Sequence, residues 1–206
     1  GMDEPEIILR NLSVPGEHMR VNVLNAALVL FLMHVPSGDI AEILGSWQGI
    51  DHRLQFFHTY RNFKFYNDSC ATVPEAAGAA SQAFGKPVIL ITGGTDKGLS
   101  FEPLIETLSA KNGIIPVKKL YLLAGTGTDK LTKGLSERGI PYEKPYENLS
   151  ALLSALKTDI DSGSEKESAS TEEIIVFSPG ATSFGMFRNE FDRGNTFMAE
   201  VKKTFI

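Results

Sequence analysis

Residues 88–94 read VILITGG, an apolar run that ends in a threonine and two glycines. A strand buried on both faces of a parallel sheet has this composition, because neither of its faces is left to water. The same pattern returns at 120–125 (LYLLAG) and at 174–180 (IIVFSPG). Segments with the helical spacing of apolar residues, such as 101–108, separate the three runs. This alternation predicts an α/β, Rossmann-like fold, a mostly parallel sheet with helices on both faces.

Further strands and helices complete this prediction. Residues 54–58 and 63–67 are predicted to form two strands joined by a turn at Arg61-Asn62, and residues 6–10 (EIILR) a short strand. The serine-rich segment 158–172 has few apolar residues and is predicted to be a flexible loop. The closing helix is predicted to place five residues on the core: Phe187, Phe191, Gly194, Met198 and Val201.

The composition is that of a globular protein. The chain has 206 residues, of which 42% are hydrophobic, and a formal net charge of -5. An acidic balance argues against nucleic acid or an anionic membrane surface as a partner. The single cysteine excludes an internal disulfide, and the acidic N-terminus shows no signal-peptide pattern, so a cytoplasmic location is expected. Gly1, which precedes Met2, is interpreted as a scar of tag cleavage.

The longest apolar stretch covers residues 21–35 (VNVLNAALVLFLMHV) and is interrupted by Asn22 and Asn25. It is shorter than the roughly 20 residues that a membrane-spanning helix needs. The stretch is therefore predicted to form a buried helix of a globular domain, not a membrane anchor.

Ligands of open parallel sheets bind at the carboxyl ends of the strands. That rule selects three segments, which we call the aspartate loop (67–74, NDSCATVP), the glycine loop (92–98, TGGTDKG) and the serine loop (178–185, SPGATSFG). Each follows a predicted strand and precedes a predicted helix. A ligand site is expected where these loops meet.

Each loop has a second interpretation when it is considered alone. The glycine loop offers backbone N–H groups and Lys97 to an anion, but it lacks the spacing of a Walker A motif, and a plain turn with a solvated lysine is the more common case. The hydroxyls of the serine loop could hold a carboxylate or phosphate, or cap a helix. Residues 125–130 (GTGTDK) lack the third glycine of a dinucleotide fingerprint and are interpreted as a plain turn.

The other polar residues form no legible catalytic arrangement. Arg53 could clamp a phosphate or be an ordinary surface arginine. No histidine has metal-ligand spacing with the carboxylates or Cys70, so no metal site is predicted. Cys70 lies next to Asp68 in the chain, and a negative charge there disfavours the thiolate that a nucleophile needs.

Five motifs taken together resemble one family. They are GEHMRVNVLNAALVL, DHRLQFF, FYNDSCAT, ITGGTDKG and FSPGATSFGMFRNEFDRG. In this order and spacing they resemble the Mur ligases of peptidoglycan synthesis, and among these the members that add D-glutamate. The sister ligases and folylpolyglutamate synthase are similar in architecture but carry different sequences where this chain has NDSCAT.

The resemblance implies one part of a three-domain enzyme. Residues 1–49 resemble the end of the central ATP-binding domain, and residues 50–206 resemble the C-terminal domain, whereas the phosphate loop of the central domain has no counterpart here. In this family ATP phosphorylates the carboxylate of UDP-MurNAc-L-alanine, and the amine of D-glutamate then attacks the acyl phosphate. The implied cofactors are ATP and Mg²⁺, and the implied partners are D-glutamate, ATP and UDP-MurNAc-L-alanine, the last mostly through the missing domains. The chain alone is expected to be inactive and to bind no cofactor tightly.

The resemblance also assigns roles to individual residues. The expected contacts to D-glutamate are Thr72, Lys97 and Ser183. The expected contacts to the nucleotide are Asn22, His52, Arg53 and Asp68. No catalytic residue and no metal ligand is expected within the chain. The chain departs from the family at Cys70, where lysine is usual, at Met19, where asparagine is usual, and at Glu190, where phenylalanine is usual.

Two other functions remain open. One is a non-catalytic module that binds a small dicarboxylate, and the other is a sister Mur ligase or a folylpolyglutamate-synthase-like ligase that takes a different amino acid. A helix at 21–35 without the rest of its domain would leave apolar surface exposed. Self-association of the chain through that helix is therefore expected.

Overall fold

The computed structural model describes residues 7–9, 11–109, 116–163 and 171–206. The chain divides into two compact units, Gly1–Ile50 and Asp51–Ile206. The first unit contains α1 (Glu17–Leu32) and α2 (Ser37–Ser46). Residues 7–9 form no strand, and the other two residues of the strand predicted there lie outside the described part. The assignment of the first unit to a central ATP-binding domain stays a prediction.

The helix α1 is largely exposed. Met19, Val23 and Ala27 are its buried residues. Its exposed large apolar residues are Val21, Leu24, Leu28, Val29, Phe31 and Leu32. The prediction of a buried helix is therefore wrong for most of this surface, and self-association through it stays a prediction. No helix within the described residues is long and apolar enough to span a membrane.

The second unit is built on a five-stranded sheet. Its strands are β1 (Gln55–Tyr60), β2 (Phe63–Asn67), β3 (Val88–Thr92), β4 (Val117–Leu122) and β5 (Glu173–Phe177). Their order across the sheet is β1-β2-β5-β3-β4. The strand β1 pairs with β2 in the antiparallel direction, and the other neighbours are parallel. The prediction of a mostly parallel sheet is confirmed.

Helices cover both faces of this sheet. They are α3 (Pro74–Gln82), α4 (Glu102–Leu108), α5 (Thr126–Glu137), α6 (Leu149–Gly163) and α7 (Glu190–Thr204). Leu90 and Val176 face the core beneath α3, α4 and α5, whereas Ile91 and Phe177 face the core beneath α6 and α7. Successive residues of a strand point to opposite faces, so covering both faces requires strands that are apolar throughout. The predicted fold class is confirmed.

The segment predicted as a loop from residue 158 begins as a helix. The helix α6 continues to Gly163 because Ile160 is buried and Lys157 pairs with Asp161, one turn later, at 2.7 Å. The polar composition of this segment therefore did not indicate that Ile160 is buried or that an ion pair forms along the helix. Residues 164–170 of the predicted loop lie outside the described part.

The core positions of the closing helix also differ from the prediction. The helix α7 begins at Glu190, so Phe187 precedes it, and its large buried apolar residues are Phe197 and Val201. Phe191, predicted to face the core, is 51% exposed. The predicted helix is present, but one of the apolar residues assigned to its core side, Phe191, is half exposed.

Candidate functional site

Three loops meet at one edge of the sheet. The aspartate, glycine and serine loops follow β2, β3 and β5, and β5 lies between the other two strands. Because these strands are parallel to one another, their carboxyl ends lie at the same edge. The serine loop is therefore central and can bond to both of its neighbours.

Backbone hydrogen bonds tie the serine loop to each neighbour. The N–H of Gly180 donates to the carbonyl of Ala71 in the aspartate loop at 2.9 Å. The N–H of Thr182 donates to the carbonyl of Thr95 in the glycine loop at 3.1 Å, and these two residues form an isolated antiparallel bridge. The three loops thus form one connected surface.

The residues predicted to contact D-glutamate lie beside these ties. Thr72 directly follows Ala71, and Ser183 directly follows Thr182. Ser183 is only 4% exposed, Thr72 is partly buried, and Lys97 is exposed. Within the described residues the Lys97 ammonium has no carboxylate at ion-pair distance. The structure brings together the three loops that carry Thr72, Lys97 and Ser183, and the exposed ammonium of Lys97 can meet an anion there.

The glycine loop is supported from behind by residues 125–130, for which the sequence predicted only a plain turn. The buried Thr128 hydroxyl accepts from the N–H of Gly94 at 2.9 Å and donates to the carbonyl of Leu123 at 2.6 Å. Gly93 has a φ of +100°, and a Cβ on it would lie 2.7 Å from the Leu123 oxygen and collide with Thr128. This support fixes the loop that carries Lys97. No signal near Thr128 in the sequence predicted this contact.

Asp68, predicted to contact the nucleotide, is buried and joins two segments. Its Oδ1 accepts from the N–H of Leu54 at 3.1 Å, and its Oδ2 accepts from the Ser178 hydroxyl at 2.6 Å. Burial raises the pKa of this carboxyl to about 6, although both hydrogen bonds and the nearby Arg53 oppose the rise. Both carboxylate oxygens are thus engaged within the protein.

Arg53, also predicted to contact the nucleotide, lies in a strained turn. His52 and Leu54, on either side of it, have φ values of +62° and +44°. Such values cost about 1 kcal/mol or more at a residue other than glycine and persist only where other bonds hold them. The N–H of His52 donates to Gln55 Oε1 at 3.0 Å, and the N–H of Leu54 donates to Asp68. The turn holds the guanidinium of Arg53 in an exposed position beside the aspartate loop.

The ring of His52 is buried and held between the aspartate loop and α7. Asn67 Oδ1 accepts from the N–H of Ser69, so the amide nitrogen of Asn67 faces His52 Nδ1 at 2.8 Å and donates to it. The ring proton of His52 is therefore on Nε2. Phe191 meets the ring edge to face at 5.6 Å, and a Cβ on Gly194 would lie 2.9 Å from its Cε1.

The sequence also singled out Asn22 and Cys70. Asn22 lies on α1 in the first unit and is exposed, and its nucleotide role stays a prediction. Burial raises the pKa of the Cys70 thiol, which favours the thiol form. Within the described residues, no three His, Cys, Asp or Glu side chains lie close enough together to hold a metal ion.

No family model matches the chain, but curated relatives are similar to most of it. The UDP-N-acetylmuramoylalanine–D-glutamate ligase of Treponema pallidum (strain Nichols) is 41% identical over 166 residues, which cover 81% of this chain and 28% of the relative. The protein of the same name from Thermoanaerobacter sp. (strain X514) is 33% identical over 204 residues, which cover 98% of this chain and 41% of the relative. The chain spans less than half the length of either relative.

A solved structure shares the fold. The folylpolyglutamate synthase of Mycobacterium tuberculosis, complexed with ADP and AMPPCP, superposes with a TM-score of 0.64 over 92% of this chain and 41% of that one. The two sequences are 14% identical, so this likeness concerns the fold alone.

Proposed function

The chain belongs to the Mur ligase family and resembles part of its D-glutamate-adding members, and from that premise we propose that it is the carboxyl-terminal part of an ATP-dependent ligase. The reaction proposed for the whole protein joins D-glutamate to UDP-N-acetylmuramoyl-L-alanine through an acyl phosphate. This chain supplies the surface that holds D-glutamate and part of the surface that holds ATP.

The meeting of the three loops, one of which carries the exposed Lys97, is the observation that carries this proposal. D-glutamate brings two carboxylates, and each needs hydrogen-bond donors and positive charge when it leaves water. Lys97 supplies the charge, and Thr72 and Ser183 supply hydroxyl donors. The amine of the amino acid stays unbound by this surface, so it can face the acyl phosphate formed elsewhere in the enzyme.

The nucleotide is proposed to lie on the other side of the aspartate loop. Arg53 contacts phosphate oxygens, because its exposed guanidinium suits a bidentate contact with an oxyanion. His52 supports the adenine side together with Asn22. We assign to Asp68 the task of holding the Arg53 turn through the N–H of Leu54, since both of its oxygens are engaged within the protein. Mg²⁺ is proposed to arrive with ATP, as is usual where phosphate oxygens and water supply most of its ligands.

The chain alone is proposed to be inactive, because it contains no phosphate loop of the G-x-x-x-x-G-K-[ST] type. Incubation of the purified chain with ATP, Mg²⁺, D-glutamate and UDP-N-acetylmuramoyl-L-alanine should give neither ADP nor the amide. Formation of either product by the chain alone would contradict the proposal.

The binding step is tested by titrating D-glutamate and L-glutamate into the ¹⁵N-labelled chain and following its amide resonances. D-glutamate should shift resonances of the three loops, L-glutamate should bind more weakly, and Lys97→Ala should weaken D-glutamate binding about tenfold or more. Lys133→Ala, which removes an exposed lysine of α5, is the matched control and should bind as the unaltered chain does.

The same titration separates the alternatives. Equal binding of both enantiomers favours a module that recognises dicarboxylates without regard to their configuration. No response to D-glutamate, or a response that persists in Lys97→Ala, contradicts the proposed site.

A further inference from the structure

Arg193 is a buried charge that the predicted roles leave unexplained. It lies in the first turn of α7 and is the largest fully buried side chain of the described residues, with 1% exposure. Arginine is seldom fully buried without a partner, because its charge loses its hydration. The position of this guanidinium therefore calls for a physical reason.

The guanidinium joins the aspartate loop to the serine loop. Its Nε donates to Ser69 Oγ at 3.0 Å and its Nη2 donates to the Ser69 carbonyl at 2.8 Å. Its Nη1 donates to the carbonyl of Ala181 in the serine loop at 2.9 Å. The Ser69 hydroxyl in turn donates to the carbonyl of Glu190 at 2.7 Å, which ties the same loop to the start of α7. One side chain thus holds three segments together.

The hydrogen bonds of this guanidinium do not neutralise its charge, and the Glu190 carboxylate offsets the charge without direct contact. All three acceptors are neutral oxygens, and within the described residues no carboxylate forms an ion pair with Arg193. Burial lowers the pKa of Arg193 to about 10, so the group is still protonated at neutral pH. A buried cation that forms no direct ion pair is costly to keep in a protein interior.

An anion bound at the neighbouring loops would supply a further counter-charge. Ala181 lies two positions before Ser183, and Ser69 lies three positions before Thr72. Arg193 is thus bonded to both loops that carry these hydroxyls, and its side chain lies in the buried interior. Charges interact more strongly there than at an exposed surface.

We propose that Arg193 is a positioning residue of the amino-acid site, which fixes the aspartate and serine loops to each other and strengthens the binding of carboxylates through its charge. This inference rests on the proposed function, because it takes D-glutamate as the ligand. It adds to Lys97 a second cation that acts from beneath the site without touching the ligand.

The test compares D-glutamate with D-glutamine, which has the same backbone groups but a neutral side chain, in titrations of the ¹⁵N-labelled chain. Arg193→Met should weaken D-glutamate binding about tenfold and D-glutamine binding clearly less, since only the first ligand brings the second carboxylate. Arg193→Lys should recover part of the loss because it keeps the charge. Arg188→Met, which removes an exposed arginine from the segment before α7, should bind as the unaltered chain does.

The outcomes distinguish this inference from the function on which it rests. Equal losses for both ligands, or no recovery in Arg193→Lys, would mean that Arg193 acts only on the shape of the loops and would overturn the inference. Failure of the unaltered chain to bind D-glutamate overturns the proposed function and the inference with it. Unchanged binding in Arg193→Met overturns the inference alone.

A measurement on the unaltered chain covers the case in which Arg193→Met does not fold. The Nε–H resonance of Arg193 should shift more with D-glutamate than with D-glutamine at equal saturation, because the additional carboxylate changes the field at the guanidinium. Equal shifts with the two ligands would contradict a role for charge.

Discussion

The glycine loop and the aspartate loop flank the same site but are held in place by different kinds of interaction. The glycine loop is supported by the absence of side chains, as at Gly93, and by one buried neutral hydroxyl, that of Thr128. The aspartate loop is supported by buried ionisable and polar side chains, chiefly Asp68 and Arg193. The buried support of the glycine loop depends on close packing, whereas that of the aspartate loop depends on charged and polar side chains.

This difference has consequences for how each loop responds to change. A loop held by close backbone approach tolerates no added atoms, and this buried support does not vary with pH, although the ion pair of Asp96 with Lys130 at the exposed end of the glycine loop does. A loop held by buried ionisable groups tolerates isosteric replacement, but its stability follows the protonation state of those groups. The two loops therefore differ in how their buried supports respond to pH.

The largest effect is expected from Gly93→Ala. Its φ of +100° is unfavourable for alanine, and the new Cβ would lie 2.7 Å from the carbonyl oxygen of Leu123, which belongs to the backbone and cannot easily move. We expect a loss of about 3 kcal/mol in the free energy of unfolding, measured by urea denaturation followed by circular dichroism.

Gly98→Ala is the control for this substitution, since Gly98 also has a positive φ, of +82°, but no atom lies within 4 Å of its added Cβ. It should lose only about 1 kcal/mol, the cost of the left-handed conformation. Equal losses in the two variants would show that backbone conformation, and not close packing against residues 125–130, supports the glycine loop.

An effect that depends on pH is expected from Asp68→Asn. The carboxyl titrates near 3.8 when the chain is unfolded and near 6 when it is folded. Between these values the folded state binds more protons than the unfolded state, so the contribution of Asp68 to stability falls as the pH rises. The full fall is about 3 kcal/mol.

Asparagine can accept from Leu54 and donate to Ser178, so Asp68→Asn should keep the contacts and remove the titration. The stability of the variant relative to the unaltered chain should therefore rise between about pH 4 and about pH 7. Asp129→Asn, which removes an exposed carboxylate of α5, should show no such rise. A constant difference for Asp68→Asn across this range would mean that the charge of Asp68 is compensated in the folded state.

The strands of the sheet could be predicted from the sequence because the pattern that identifies each strand lies within a few consecutive residues. A strand buried on both faces must be apolar throughout, and VILIT, LYLL and IIVF satisfy that condition within a few residues each. The site edge followed from the parallel direction of the strands. The resemblance to a family then identified Thr72, Lys97 and Ser183 on three loops that the structure places side by side.

The supports of the loops could not be predicted in this way, because they join residues far apart in the chain. Nothing near Thr128 in the sequence indicates that its hydroxyl faces Gly94, and nothing near Arg193 indicates that it faces Ser69. The end of α6 was missed for a related reason, since Ile160 is a single core residue within a polar segment. Composition averages over such residues, whereas packing depends on each one.

The smallest effect is expected at the start of α7, which delivers Arg193 and Gly194 to the aspartate loop. The Asn189 side chain caps this helix by accepting from the N–H of Asp192 at 2.8 Å. Asn189→Ala should lower the free energy of unfolding by about 1 kcal/mol, and Asn195→Ala, at an exposed position inside the helix, should cause no loss. Urea denaturation checks both variants. If Asn189→Ala also causes no loss, the position where α7 begins is set by the bonds of Arg193 to Ser69 and not by the Asn189 cap. The contacts of Arg193 that support the aspartate loop would then also fix the start of this helix.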